Sequence, residues 1–270
     1  MDLQSAAGDA LLLDALRRNP LLALDFDGTL SPLVQQPAAA AMDPRVPPLL
    51  EPLLARMSVA IVSGRGIVDL AARVPLEGLT LVGNHGNEWG PQPEPQPEPA
   101  TATSPAAEGR ADPRQVCIAW ADQLAGPLAA MGRGIAFESK LLSLSIHYRL
   151  MPDREQARLR LLELVSQLRP APEIIEGKFV LNLMAPGLVT KYEAVQELQR
   201  RHGNGSVIFI GDDVTDERVF ERAPPDWLTV RVWDEEAGAG GEGSAARAFV
   251  HGVDGVVEVL GRLGRLSRNL

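Results

Sequence analysis

Apolar residues follow two rhythms along this chain, and the switch between them outlines its architecture. From about residue 20 to 87, short continuous apolar runs alternate with stretches of helical period: LLALDF (21–26), a helix near 45–57, SVAIVSG (58–64), a helix near 66–73, then LTLVGNHG (79–86). The alternation resumes near residue 188 with a helix from Lys191, SVIFIGDD (206–213), a helix near 216–222 and LTVRV (228–232). Continuous apolar runs of this length suit strands buried on both faces, and strand–helix alternation implies a parallel sheet with helices on either side. The middle of the chain reads differently. It holds an amphipathic helix near 113–131, an alternating strand LLSLSIHYRL (141–150), a helix near 153–168 and two strand-like pieces, EIIEG and KFVLNLM (173–184). Helices on one face of a largely antiparallel sheet fit that pattern. The predicted fold is α/β: a Rossmann-like doubly wound parallel sheet core over 1–88 and 187–270, with a smaller α+β cap domain inserted at 112–186. A Pro/Glu-rich linker, 89–111, joins them. Its PQPEPQPEP run (91–99) favours an extended, solvated polyproline conformation, and the glycine-rich 235–247 reads as a surface loop.

Several of the predicted strands end in chemistry. The first stops at Asp25 and Asp27, followed by Gly28 and Thr29. Unpaired carboxylates are too costly to bury within a strand, so they belong at the strand's C-terminal edge, where open α/β sheets hold ligands. Two carboxylates that close repel unless a cation lies between them, and oxygen ligands of this kind suit Mg²⁺. The plainer alternative is an Asp-Gly turn beside an ordinary aspartate. A second run, VIFIGDDVTDE (207–217), repeats the design with Asp212, Asp213, Asp216 and Glu217. Between them, VAIVSGR ends in Ser63, Gly64 and Arg65, a hydroxyl and backbone N–H corner suited to an anion. Lys191 adds a point positive charge at the head of a predicted helix.

At DFDGT (25–29), Ser63, Lys191 and GDDVTDE (211–217) the chain resembles the haloacid dehalogenase superfamily of phosphotransferases. At GNHGNE (83–88), FESKLLSLSIHYR (137–149) and EGKFVLNL (176–183) it is similar, more narrowly, to the trehalose-6-phosphate phosphatase family. Together the likeness spans roughly residues 20 to 260. The resemblance implies a Mg²⁺-dependent phosphatase acting through an aspartyl-phosphate, with Asp25 as nucleophile and Asp27 as general acid and base. It implies that Asp25, the backbone carbonyl of Asp27 and Asp212 bind the metal, that Asp213 and Asp216 orient its waters or the lysine, and that Ser63 and Lys191 hold the phosphoryl group. Arg65, Asn84, His85, Glu138, Lys140, Arg149, Lys178 and Asn182 are the implied substrate-binding residues, those of the inserted domain holding the sugar. On an alternating strand Glu138 and Lys140 share one face, though an ordinary solvated face would look the same. The chain departs from the family pattern at Asn182, where a glutamate is usual, at Tyr192, where glycine is, and at Asn87, where a small residue is. Another glycosyl phosphate, such as sucrose- or glucosylglycerol-phosphate, is therefore an alternative substrate, and a phosphomannomutase-like phosphotransferase an alternative activity.

Composition narrows the classes without choosing among them. A hydrophobic content of 45% supports a true core, and with aromatics at 4% its packing must be mainly aliphatic. A net charge of −9 argues against nucleic acid and anionic membranes as partners, so an anionic small-molecule sugar phosphate must be drawn by a local positive site. The single cysteine, Cys117, permits no intrachain disulfide and reads as a small buried apolar residue. The first twenty residues lack a basic region ahead of their apolar stretch and read as a short amphipathic helix. With no stretch of membrane-spanning length, a cytoplasmic location is expected.

Overall fold

The computed structural model of the chain describes residues 1–34, 36–90, 112–139, 142–177, 179–233 and 243–270. Strand β1 (Pro20–Leu24), buried along its whole length, lies in the middle of a seven-stranded sheet. On one side stand β2 (Val59–Val62), β3 (Thr80–Gly83) and the two-residue β4 (Glu88–Trp89); on the other, β9 (Ser206–Gly211), β10 (Leu228–Trp233) and β11 (Ala248–His251). All neighbours pair in parallel except β3 with the edge strand β4. The chain leaves β1 for β2 in one direction and returns at β9 in the other. The C-terminal end of β1 is therefore a topological switch point, where such sheets form a crevice.

Both faces of the sheet are apolar, and each carries its own helices. Leu22, Leu24, Ile61, Ile208 and Ile210 pack against α1 (Ala6–Leu16), α2 (Pro47–Leu54), α3 (Ile67–Arg73) and α8 (Gly252–Leu266). The alternate residues, Leu21, Ala23, Ala60, Val62, Val207 and Phe209, pack against α6 (Lys191–His202) and α7 (Val214–Arg222). Period-two alternation of two apolar sets is why these strands read as continuous runs. The doubly wound α/β core is as the sequence predicts. Strands β4 and β11 and helix α8 are additions that the predicted pattern does not contain.

The chain divides into two units, Met1–Pro91 with Val189–Leu270, and Gln92–Leu188. The second unit is a four-stranded antiparallel sheet in the order β5 (Ala136–Ser139), β6 (Ser143–His147), β8 (Val180–Met184), β7 (Glu173–Gly177). Helices α4 (Pro113–Met131) and α5 (Arg154–Ser166) cover the face presenting Leu144, Ile146, Leu181 and Leu183. Asp112 caps α4 by accepting from the Arg114 amide at 2.9 Å. The buried Trp120 indole donates to the Pro170 carbonyl at 3.0 Å. Cys117 lies in this core, where burial pushes its thiol up to about 11, as befits a packing residue. The proline-rich 91–111 and most of the glycine-rich stretch, 235–242, lie outside the described residues. Among the described residues no helix is long and apolar enough to cross a membrane.

One buried cation ties the first helix to the last. Arg262 of α8 is 5% exposed and donates to the carbonyls of Leu3 and Ser5 and to Asp9. Arg262→Ala strands those acceptors and removes a packed stem, so it should cost about 2–4 kcal/mol. A urea titration should show a lower midpoint at unchanged slope; an unchanged midpoint would mean the N-terminal helix contributes nothing to the cooperative unit.

Candidate active site

Three strand ends of the first unit bring the charged residues together. Asp25 follows β1, its amide bonded to the Ile210 carbonyl of β9 at 2.9 Å, which fixes the two acidic strand ends side by side. Gly28 has φ +79, and a Cβ there would come within 2.0 Å of an Asp212 carboxylate oxygen. Only glycine allows the turn after β1 to fold against the end of β9. Thr29 is fully buried, and its hydroxyl donates to Asp212 at 3.4 Å.

Lys191 opens α6 beneath this edge. Its Nζ donates to Asp25 at 2.7 Å and to Asp216 at 2.8 Å, with all three side chains 6% exposed or less. Asp216 stands on the first turn of α7, and its other oxygen accepts from the backbone amides of Asp212 and Asp213 at 3.1 and 3.0 Å. Gly211 lets it approach, since a Cβ there would lie 2.3 Å from the Asp216 carboxyl carbon. Asp216 thus holds the lysine and the acidic loop at once. An oxygen from each of Asp25, Asp212 and Asp216 lies within 4.8 Å of the others. Three carboxylates, two of them buried, face one ammonium, an excess of acidic groups over positive charge, and hard oxygen donors in such excess match a divalent cation.

The electrostatics report the same deficit. Burial pushes Asp25 up to about 7, with Lys191 pulling the other way and Asp216 adding to the rise. Burial, then the Asp25 and Asp216 charges, holds Asp212 well above the usual carboxylate range; burial and Asp216 raise Asp213. For Lys191 burial favours the neutral amine, but Asp216 and Asp25 outweigh it and the ammonium is strongly held.

Ser63, fully buried, directly follows β2; its amide bonds to the Val82 carbonyl, and its hydroxyl accepts from the Arg65 amide at 3.2 Å. Arg65, expected from sequence to meet substrate, grips Asp27 through Nε at 2.7 Å and NH2 at 2.6 Å, and Asp69 through NH1 at 2.7 Å. Asn84 and His85, both buried, form a tight left-handed turn after β3 with φ of +49 and +57. Their amides bond to the carbonyls of Arg65 and Ser63, and the His85 ring lies so close to Gly64 that a Cβ there would sit 2.5 Å from it. Two consecutive non-glycine residues in the left-handed region cost about 1–3 kcal/mol each, the kind of strain that collects at functional sites.

In the second unit, strand register puts Glu138, Ser145 and Asn182 in one cross-strand row, away from the helix-covered face. Ser145 donates to Asn182 at 2.7 Å, and His147 Nε2 lies 3.6 Å from Glu138. Arg149 is partly buried just beyond β6. Lys140 and Lys178 fall outside the described residues. Asp69 and Asn87 are the residues that sequence reasoning passed over as parts of the site's frame. Asn87 bonds both backbone groups of Val189 at 2.8 Å, fastening the 83–88 turn to the residue two before Lys191. Its only signal was the departure from the family pattern.

A family model described as trehalose-phosphatase matches residues 23–237. A Mycobacterium tuberculosis protein described as an uncharacterised glycosyl hydrolase is 34% identical over 215 residues, 76% of this chain and 15% of that protein. A trehalose-phosphate phosphatase of the same species is 29% identical over 263 residues, 94% of this chain and 62% of that protein. The chain thus spans less than two thirds of the length of these relatives. Among solved structures, the C-terminal domain of C. albicans trehalose-6-phosphate phosphatase superposes with a TM-score of 0.70 at 22% identity, covering 95% of this chain and 96% of that one. The sucrose-phosphatase of Synechocystis sp. PCC6803, solved with sucrose and phosphate, gives 0.58 at 18% identity over 91% of this chain and 98% of that one. At these identities the likeness is one of fold.

The raised carboxylates set a pH dependence. In chelator, the folded chain holds a proton on Asp25 up to about 7, whereas the unfolded chain releases it near 3.8. The folded state binds more protons across that window, so stability should rise as pH falls from neutral toward 4 and fall as it returns. Thermal melts in EDTA should show this slope, and Asp212→Asn should flatten it while raising the neutral-pH midpoint. A wild-type midpoint that climbs with pH through the window would contradict the charge deficit.

Proposed function

The chain belongs to the trehalose-phosphatase family, and on that premise we propose that it hydrolyses trehalose 6-phosphate to trehalose and phosphate through an aspartyl-phosphate. The observation that carries the reading is the buried Asp25–Lys191–Asp216 group beside Asp212 at one sheet edge. Phosphate monoesters are very inert, and this edge offers a nucleophile, an acid–base carboxyl and positive charge within one crevice. The hard oxygen set and its net negative charge fit Mg²⁺. Asp25, Asp212 and the backbone carbonyl of Asp27 would hold it, Asp213 and Asp216 would orient its waters and the lysine, and when bound it neutralises charge on the transferring phosphoryl group.

The chain's own residues divide the rest. An oxygen of Asp25 attacks phosphorus while the bond from phosphorus to the sugar oxygen breaks. Asp27, as acid, gives that oxygen its proton. Asp27 then takes a proton from water, which attacks the same phosphorus, freeing phosphate and restoring the Asp25 carboxylate. Ser63 and Lys191 hold the phosphoryl oxygens. Asn84 and His85 lie beside this corner and contribute to substrate binding. On the inserted unit, Glu138, Arg149 and Asn182, with Lys140 and Lys178, are the proposed sugar-binding set. Asn182 spends its carbonyl oxygen on Ser145, so it would offer the sugar an amide donor where a glutamate would offer an acceptor.

Phosphate release should be measured across trehalose 6-phosphate, sucrose 6-phosphate, glucosylglycerol phosphate and glucose 6-phosphate, with and without Mg²⁺. Trehalose 6-phosphate is expected to lead the panel, with turnover lost in EDTA and restored by Mg²⁺. Preference for another ester would change the substrate while keeping the chemistry; full turnover in EDTA would remove the metal.

The two aspartates after β1 should separate. Asp25→Asn should abolish turnover and phosphoenzyme. Asp27→Asn should lower the rate by about 10²–10⁴ yet still form a beryllofluoride adduct on Asp25. Near-normal turnover by Asp25→Asn would rule out the covalent route.

A further inference from the structure

Asp27 is placed differently from the carboxylates around it. Asp25 and Asp216 share a buried lysine, whereas Asp27 is about one-third exposed and, among the described residues, is held by the Arg65 side chain. The guanidinium meets it as a fork, Nε to one oxygen and NH2 to the other, at 2.7 and 2.6 Å. A fork of this kind fixes direction as well as distance. The guanidinium is in turn held from behind. Asp69 accepts from NH1 at 2.7 Å, Asp69 is itself bonded by Arg73 through two nitrogens at 3.0 and 2.8 Å, and Arg73 is anchored on the carbonyls of Ala38 and Ala40. The Phe26 ring lies 5.6 Å from the Arg65 guanidinium carbon. Arg65 thus joins a chain of alternating charges that runs away from the crevice. The Arg65 side chain is only 10% exposed.

We infer that Arg65 is a positioning residue for the acid–base carboxyl of Asp27, with Asp69 as its support, and that its part in turnover is to aim Asp27. This rests on the phosphatase reading and takes the place of the substrate contact expected for Arg65 from sequence. A carboxylate has about four lone-pair sites on its two oxygens. The fork occupies one on each, leaving one on each, where Asp27 can carry the proton it gives to the sugar oxygen and the one it later takes from water. With the fork in place those sites point in a fixed direction. Without it the side chain turns about two single bonds, and most orientations aim the proton away from the leaving oxygen. Misplacement of a reacting group by about 1 Å is worth up to about 100-fold.

A double-mutant cycle tests this, using trehalose 6-phosphate and p-nitrophenyl phosphate with Mg²⁺ present. Arg65→Ala should lower kcat about 10- to 100-fold with little change in KM. In an Asp27→Asn background the same substitution should cost less than about 3-fold, because the group it aims is already gone. Arg65→Lys, which keeps charge but not the fork, should fall between. Asp69→Asn leaves Arg65 in place, so it serves if Arg65→Ala fails to fold; it should cause a smaller kcat loss that also vanishes in the Asp27→Asn background. Equal losses in both backgrounds, or a raised KM at unchanged kcat, would overturn the inference and return Arg65 to substrate binding. A folded parent protein that releases no phosphate from any ester would instead sink the phosphatase reading itself, and the role of Arg65 with it.

Discussion

The ammonium of Lys191, buried between Asp25 and Asp216, is the interaction on which the rest of the site depends. None of the three charges can stand alone in that place, since an unpaired buried charge costs far more than a folded domain can spare. Each therefore constrains its neighbours. Asp25 must follow β1 closely enough to reach the lysine, α6 must begin with the lysine itself, and α7 must start within one turn of Asp216. Apolar residues could stabilise such a spot as well as an ion group does. The group makes sense as chemistry placed in a core, with the core arranged to tolerate it.

Close approach is the second constraint. Gly28 and Gly211 each stand where a single added carbon would meet an aspartate at under 2.5 Å. The left-handed Asn84–His85 turn brings its amides back onto the loop after β2. Asn87 then fastens that turn to Val189, so the serine corner and the lysine helix are bolted to one another through a side-chain amide. A small residue at 87 could not do this. The departure from the family pattern there has a mechanical reading within the first unit. Tyr192 has one too: its ring packs on Trp227 and beneath Arg222, and its hydroxyl accepts from Gln196.

Much of this was legible in the chain because buried parallel strands leave an unmistakable mark. LLALDF and VIFIG read as strands buried on both faces, and the cost of burying an unpaired carboxylate puts the acidic residues after them at the sheet's edge. What could not be read was partnership. Asp216 looks like one more acidic residue of a cluster, and only the first turn of α7 shows it bonding two amides and the lysine together. Arg65 reads as a cation waiting for an anion; which anion depends on Asp69 four residues on, across a helix turn that composition does not announce. The 252–266 helix went unpredicted although its apolar face is strong, because its first residues, GVDG, carry glycines that weaken a helical reading. Its stability comes from packing on α2 and the sheet, not from propensity.

Strand β1 pairs with β2 on one side and with β9 on the other, and β9 begins at Ser206. During synthesis, at about 5–20 residues per second, the growing chain waits roughly 10–40 s between making β1 and making that second partner. For this interval one edge of a strand buried along its whole length has no native neighbour, and the second unit is made in between. Parallel pairing across so long a separation is slow to form and leaves an edge open to other chains. The edge where Asp25 and Asp212 meet is thus also a seam that closes late, and a cell making this chain quickly would need to keep that edge covered.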